Sequence, residues 1–115
     1  MFTLTSSHRY LLYSQPTDMR KSFDALCGII RNELNRDPLS GEVFIFLNRG
    51  RTHLKLLHWE RGGLVLYYKR LEKGTFAPPA PAGAGSMITY VQLALLTEGI
   101  TIHKSSQKPR WNVDK

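Results

Sequence analysis

The sequence predicts an α+β fold: an antiparallel β-meander of about four strands packed against one long and one short helix. Three observations predict it. Residues 41–76 hold three short runs rich in β-branched and aromatic residues, separated by Asn-Arg-Gly-Arg and Arg-Gly-Gly signals that read as hairpin turns. Residues 18–35 carry apolar side chains at helical spacing. Residues 89–98 carry a second, shorter helical pattern behind a Pro- and Gly-rich stretch.

In chain order, residues 9–13 (RYLLY) form a short strand candidate closed by Ser14-Gln15-Pro16. The helix over 18–35 places Met19, Phe23, Leu26, Ile30 and Leu34 on one face, with Thr17 or Asp18 as N-cap. Pro38 stops it, because it disfavours helix at Asp37 and has no N–H to donate. The meander runs Val43 to Leu47, Thr52 to Trp59 and Leu64 to Leu71. Its glycine-containing turns suit backbones that need positive φ. Residues 77–86 have too much Pro and Gly for regular structure and read as an internal linker. In the second helix Thr89 and Gln92 fit a capping box and Gly99 fits the residue after its end. Its apolar residues Val91, Leu93, Leu95 and Leu96 should pack on the sheet, leaving both helices on one sheet face. Residues 100–102 suggest an edge strand. The organisation expected is one domain over 1–102 and a flexible basic tail over 103–115.

Composition bounds the function. The chain has 115 residues, 42% hydrophobic and 22% charged, which suits one soluble domain. No apolar run approaches the roughly 18–20 residues needed to span a bilayer, and no signal peptide is evident, so a membrane role is not expected. Cys27 is the single cysteine, which excludes an intramolecular disulfide and fits a cytoplasmic location. A net charge of +7 favours a polyanionic partner. Between Asn48 and Lys73 lie seven basic and two acidic residues, so the meander carries most of that charge.

Several motifs, in order, resemble one family. Residues 16–26 (PTDMRKSFDAL) resemble its "TDMRK-small-FD-x-L" opening. Phe44-Ile45-Phe46 with Asn48-Arg49-Gly50-Arg51 is similar to "F-x-F-x-N-R-R-R", and Lys55 to Trp59 to "K-x-L-x-W". Residues 68–76 (YKRLEKGTF) are similar to "YKRLE-x-G-x-F", and residues 93–100 to an "L-x-x-L-L-x-G-I" ending. The family is the small accessory protein encoded by the second reading frame of IS sixty-six-type insertion sequences, also labelled TnpB and unrelated to the RNA-guided nuclease of that label. Gly50 stands where the family has a third arginine, and residues 103–115 have no counterpart in it. The resemblance implies a role in transposition beside a separate transposase.

Candidate residues follow. Arg49, Arg51, Lys55, Arg61, Lys69, Arg70 and Lys73 are the expected nucleic-acid contacts, because cations on turns reach phosphates and arginine can make two parallel bonds. Trp59, Tyr67 and Tyr68 offer stacking faces beside them. Against this stands a plain solvated sheet face whose charge keeps its edge soluble. Arg20 and Lys21, at a helix start, form a second candidate anion site, weighed against a capped surface turn in which Asp18 is the N-cap and Arg20 and Lys21 pair with Asp24.

Catalysis is not expected. Asp18 and Asp24 lie roughly 240° apart around a helix, and no other carboxylate pair has a reason to converge on a metal. His53 and His58 point to opposite strand faces, there is no CxxC, and no phosphate-binding glycine loop follows a strand. No cofactor or metal is anticipated. The expected function is therefore a non-catalytic accessory protein of insertion-sequence transposition that binds DNA, at the element's ends, through the basic meander. The alternative is an adaptor that docks the transposase or a companion accessory protein, or self-associates, without touching DNA. The oligomeric state is open at this level.

Overall fold

Val43-Phe44-Ile45-Phe46-Leu47 offers no polar side chain to either face of a sheet, and a strand with that sequence must be covered on both sides. The computed structural model, which describes residues 4–98, buries all five as a central strand. The elements in order are β1 (Tyr10–Tyr13), α1 (Phe23–Asn32), β2 (Val43–Leu47), β3 (His53–Glu60), β4 (Gly63–Arg70), β5 (Gly85–Ile88) and α2 (Tyr90–Thr97). The fold is α+β as expected, with five strands among the described residues in the order β4-β3-β2-β1-β5.

The meander β2-β3-β4 is antiparallel, and so is the β1–β5 pair. The β1–β2 pair is parallel, with Tyr10 opposite Val43. Parallel neighbours need a crossover, and α1 supplies it. The fifth strand comes from the end of the Pro/Gly-rich stretch. Residues 77–84 are irregular, but Gly85 and Ser86 already pair with Tyr13 and Leu12. A Cβ on Gly85 would lie 3.3 Å from the Leu12 carbonyl oxygen and 2.8 Å from Leu34, so glycine there permits the close pairing.

The helices lie on opposite faces of the sheet, which corrects the one-face expectation. Leu26, Cys27 and Ile30 of α1 pack with Leu11, Phe44, Phe46 and Leu57. Leu93 and Leu96 of α2 pack with Leu12, Val43, Ile45, Leu47, Leu54 and Leu56 on the other face. Alternation along each strand assigns these two sets to opposite sides.

Helix α1 is shorter than residues 18–35. Asp18 closes a separate turn: its carbonyl accepts from Lys21 N–H at 3.0 Å and its carboxylate from Arg20 N–H at 2.9 Å. Lys55 then takes the Met19 and Lys21 carbonyls, at 2.8 and 2.7 Å, which a longer helix would need for its own i→i+4 bonds. At the other end Asn35 sits at φ 55° and turns the chain out of the helix. Phe23, placed by spacing on the inward stripe, is 40% exposed, and Cys27 is buried in its stead. Helix α2 follows the sequence closely. Thr89 Oγ1 accepts from Gln92 N–H at 3.0 Å, and Gln92 Oε1 accepts from Thr89 N–H at 2.8 Å. Val91 is solvent-exposed rather than part of its packed face. Gly99, the strand suggested over 100–102 and the tail over 103–115 lie outside the described residues.

Candidate nucleic-acid interface

Strand register decides which loops meet. Tyr13 lies opposite Gly85, Leu47 opposite Leu54, and His53 opposite Arg70. One end of the sheet therefore gathers three connections: residues 14–22, the turn 48–52, and the exit from β4 over 71–84. These bring Arg20, Lys21, Arg49, Arg51, Arg70 and Lys73 to the same end, with Asp18 and Glu72 as the acidic residues among them.

The turn between β2 and β3 is held by Asn48. Its Oδ1 accepts from the N–H groups of Thr52 and His53, both at 2.9 Å. Its Nδ2 donates to Thr52 Oγ1 at 3.1 Å and lies 3.2 Å from His53 Nδ1. The Arg51 carbonyl accepts from Phe76 N–H at 2.8 Å, which ties the turn to the β4 exit. Both Arg49 and Arg51 project into solvent from this braced loop and make no ion pair among the described residues. Arg49 lines two clefts on either side of the turn. One, of about 270 Å³, is shared with Ser14, Gln15, Pro16, Arg51 and Pro78. The other, of about 530 Å³, is shared with Asp18, Met19, Gly50 and His53. Arg51 takes φ 58°, a left-handed conformation that glycine or asparagine adopts with less strain, while neighbouring Gly50 has an ordinary φ.

The remaining candidate cations divide. Lys55 is 5% exposed. Its ammonium holds two carbonyls and lies 4.6 Å from the Tyr68 ring centre, so it pins the α1 approach to the sheet and is not presented to a ligand. Lys69 Nζ donates to the Thr97 carbonyl at 2.5 Å and caps the C-terminal end of α2. Arg70 is exposed and shares Glu72 at 2.9 Å; Lys73 is exposed beside them. Arg61 occupies the β3–β4 hairpin at the opposite end of the sheet. An eight-residue strand separates it from the turn at 48–52, roughly 23 Å along the strand axis. Arg61 and Gly62 take φ 33° and 86°, the paired positive angles of a two-residue hairpin.

The aromatic candidates also separate. Tyr68 is 52% exposed at the basic end, 5.9 Å from the His53 ring, and with Arg70 and Glu72 it lines a groove of about 380 Å³. Tyr67 turns to the other face and packs against the α2-side core. Trp59 is half-buried opposite Leu64, at the Arg61 end. Arg20 binds its own neighbour Asp18 through Nε at 3.1 Å and Nη2 at 2.7 Å. Those bonds hold the Asp18 carboxyl down to about 2 and raise the Arg20 pKa. Arg20 and Lys21 also precede α1 instead of standing in its first turn. Self-pairing thus describes Arg20 better than an open anion site, but the partner is Asp18 and not the expected Asp24, because α1 starts only at Phe23 and the i,i+4 spacing does not apply.

Two residues of this end carry more than sequence reading gave them: Asn48, read only as a turn signal, and His53, weighed only as a metal ligand. The Asn-x-Gly-x-Thr spacing was the available clue to the first, since a side-chain amide reaches the backbone just beyond it. Among the described residues no group of His, Cys, Asp and Glu is arranged to hold a metal ion. Burial raises the pKa of Cys27, which fits a packing thiol. No described helix is long and apolar enough to cross a membrane.

By architecture the chain is a small α+β domain, a mixed sheet with a helix on each face and one basic end. The family is shown by sequence: the chain belongs to the IS66 Orf2 like protein family, whose model matches residues 8–107, so the match runs into the stretch 103–115 for which the motifs offered no counterpart and corrects that expectation for residues 103–107. That membership places it among the accessory proteins of insertion sequences. It is similar to the uncharacterized protein y4jC of Sinorhizobium fredii, 30% identical over 102 residues that cover 88% of this chain and 86% of the relative. It is also similar to the uncharacterized protein y4hO of the same organism, 36% identical over 84 residues, 73% of each chain. No solved structure matches it.

Proposed function

We propose that this accessory protein binds the DNA of its insertion sequence through the basic end of the sheet, with Arg49 and Arg51 as the principal phosphate contacts and Arg70 and Lys73 beside them. The observation that carries this reading is the braced turn 48–52, which presents two arginines between two clefts and keeps Arg51 at a strained φ. Arginine at phosphate distance positions a protein on the duplex without reading sequence. Tyr68, which lies against the Lys55 ammonium and the His53 ring and is about half exposed, is the candidate for stacking on a base. Binding is non-catalytic in this reading: strand cleavage and joining belong to a separate transposase, and the complex assembles in the cytoplasm.

Fluorescence anisotropy tests it, using a duplex that carries the element's terminal repeat and a scrambled duplex at several salt concentrations. Four phosphate contacts predict a log–log salt slope of roughly −4. Replacing Arg49 and Arg51 together with serine should remove most of the binding. Arg61→Asn, at the far end, should leave it nearly intact. Binding that survives the Arg49/Arg51 double variant, or that vanishes with Arg61→Asn, would overturn the site.

A second reading is an adaptor that docks the transposase or a companion accessory protein. The observation favouring it is the exposed apolar trio Met87, Tyr90 and Val91 at the β5–α2 junction. An apolar interface would be nearly indifferent to salt, which separates it from phosphate binding.

A further inference from the structure

Strand β4 is the longest exposed edge among the described residues. It lies at one end of the strand order and runs eight residues, against four for β5 at the other end. Its register with β3 is continuous from Gly63 to Arg70, without a bulge. It has no proline, and residues 64–68 (LVLYY) carry no charge, so the usual protections of an edge strand are missing from its middle. The hairpin pairs Glu60 with Gly63 across a two-residue turn, and Leu71 N–H bonds the Thr52 carbonyl. Odd-numbered β4 residues therefore spend their backbone groups on β3, and Leu64, Leu66, Tyr68 and Arg70 point theirs outward.

We infer that two copies of this chain join through β4, antiparallel about a two-fold axis at Leu66, to make one continuous ten-stranded sheet. A two-fold axis perpendicular to the sheet keeps the same faces aligned, so only residues of matching parity sit opposite one another. With Leu66 on the axis, the outward backbone groups of Leu64 meet those of the partner's Tyr68, and Val65 lies opposite the partner's Tyr67. Apolar thus faces apolar along the centre. Lys69 lies opposite the partner's Gly63, which has no side chain, and the partner's Glu60 stands on the same face in the next strand. Lys69 keeps its bond to the Thr97 carbonyl, so its charge acts on the partner's Glu60 only at a distance; this register is selected over one shifted by a residue because that shift sets Lys69 against Val65 and Arg70 against Leu64.

The two basic ends then face away from each other, about 26 Å apart along the strand direction. Resting on the DNA-binding reading, this makes the dimer a bridge between two duplexes rather than a clamp on one.

Sedimentation equilibrium of the full chain from micromolar to millimolar concentration tests the association without DNA, and amide exchange at the same concentrations reads the edge. The expected result is a monomer–dimer equilibrium in which the Leu64, Leu66 and Tyr68 amides gain protection as the dimer fills. Val65→Lys, at an exposed position, brings like charges together near the axis and should weaken dimerisation at least roughly tenfold. Leu66→Pro removes an N–H that the monomer does not use and should abolish the dimer, with circular dichroism checking the fold of both variants. A monomer at every concentration would overturn the inference. So would edge amides protected independently of concentration, which would mean that residues 99–115 of the same chain cover β4, or a dimer unchanged by both variants, which would place the interface elsewhere. A dimer that forms but fails to capture two differently labelled duplexes would leave the association standing and count against the DNA-binding reading alone.

Discussion

Arg51 combines an exposed side chain with a backbone conformation that arginine rarely takes. A left-handed φ costs a branched-chain or long side chain about 1–2 kcal/mol relative to glycine, yet the chain places arginine there and puts glycine at the unstrained position before it. Arg51→Asn should therefore keep or raise thermal stability by about 0.5–1 kcal/mol while weakening DNA binding. A melt and an anisotropy titration on the same preparation would separate the two effects; loss of both together would mean that Arg51 is structural. The neighbouring Gly50 carries the complementary prediction. A Cβ there meets nothing closer than 3.9 Å and φ is ordinary, so the turn has room for the arginine seen in the family pattern. Gly50→Arg should change stability by no more than about 0.5 kcal/mol and steepen the salt slope of DNA binding by about 1.

At the scale of elements, Lys55 is the residue whose role the structure changes most. In the sequence it is one more cation in a basic meander. In the fold it lies on the α1-side face of β3, next to Leu57, and its ammonium bonds the chain just before α1. That contact explains why the helix begins at Phe23 and not near Asp18, since the diverted carbonyls cannot accept helical bonds. Lys55→Met keeps the apolar stem and removes the donor. It should destabilise the protein by about 1–3 kcal/mol, because two part-buried carbonyls lose a charged partner, and leave the DNA-binding salt slope unchanged if urea melts show that the variant remains folded. A variant of full stability with weakened DNA binding would restore Lys55 to the interface. Lys69 does the corresponding work on the other face by capping α2, so two of the seven meander cations hold helices to the sheet.

For the whole molecule, the sheet is a wall between two cores, and His58 sits buried on the α2 side of it. Its ring lies 5.1 Å from His8 and its Nε2 3.8 Å from Glu60, while Nδ1 is buried without a hydrogen-bond partner among the described residues. Burial lowers its pKa, outweighing the opposing pull of the Glu42 backbone. A histidine with a folded pKa below the unfolded value of about 6.5 binds more protons when unfolded. Its contribution is fully present above that pH and is lost as pH falls toward the lowered folded value. Thermal stability should decline on acidification from pH 7 to 5, and His58→Phe should flatten the decline; an unchanged profile in that variant would assign the effect to other groups. Much of this architecture was legible in the chain. The three meander strands, the Thr89–Gln92 capping box and the family motifs are local, each written in neighbouring residues whose turn, cap or alternation chemistry acts at short range. Even the two-sided burial of β2 had a local sign, a run of five apolar residues with no alternation. What only the tertiary structure decided is which segments meet. The parallel β1–β2 pairing, the recruitment of Gly85–Ile88 as a fifth strand, and the helices on opposite faces all depend on register between distant segments. The same register divides the basic residues, sending Arg49 and Arg51 to one end, Arg61 to the other, and Lys55 and Lys69 inward. Charge along a chain is additive and readable, but its direction in space is set by strand pairing and packing across tens of residues, and no local rule encodes that.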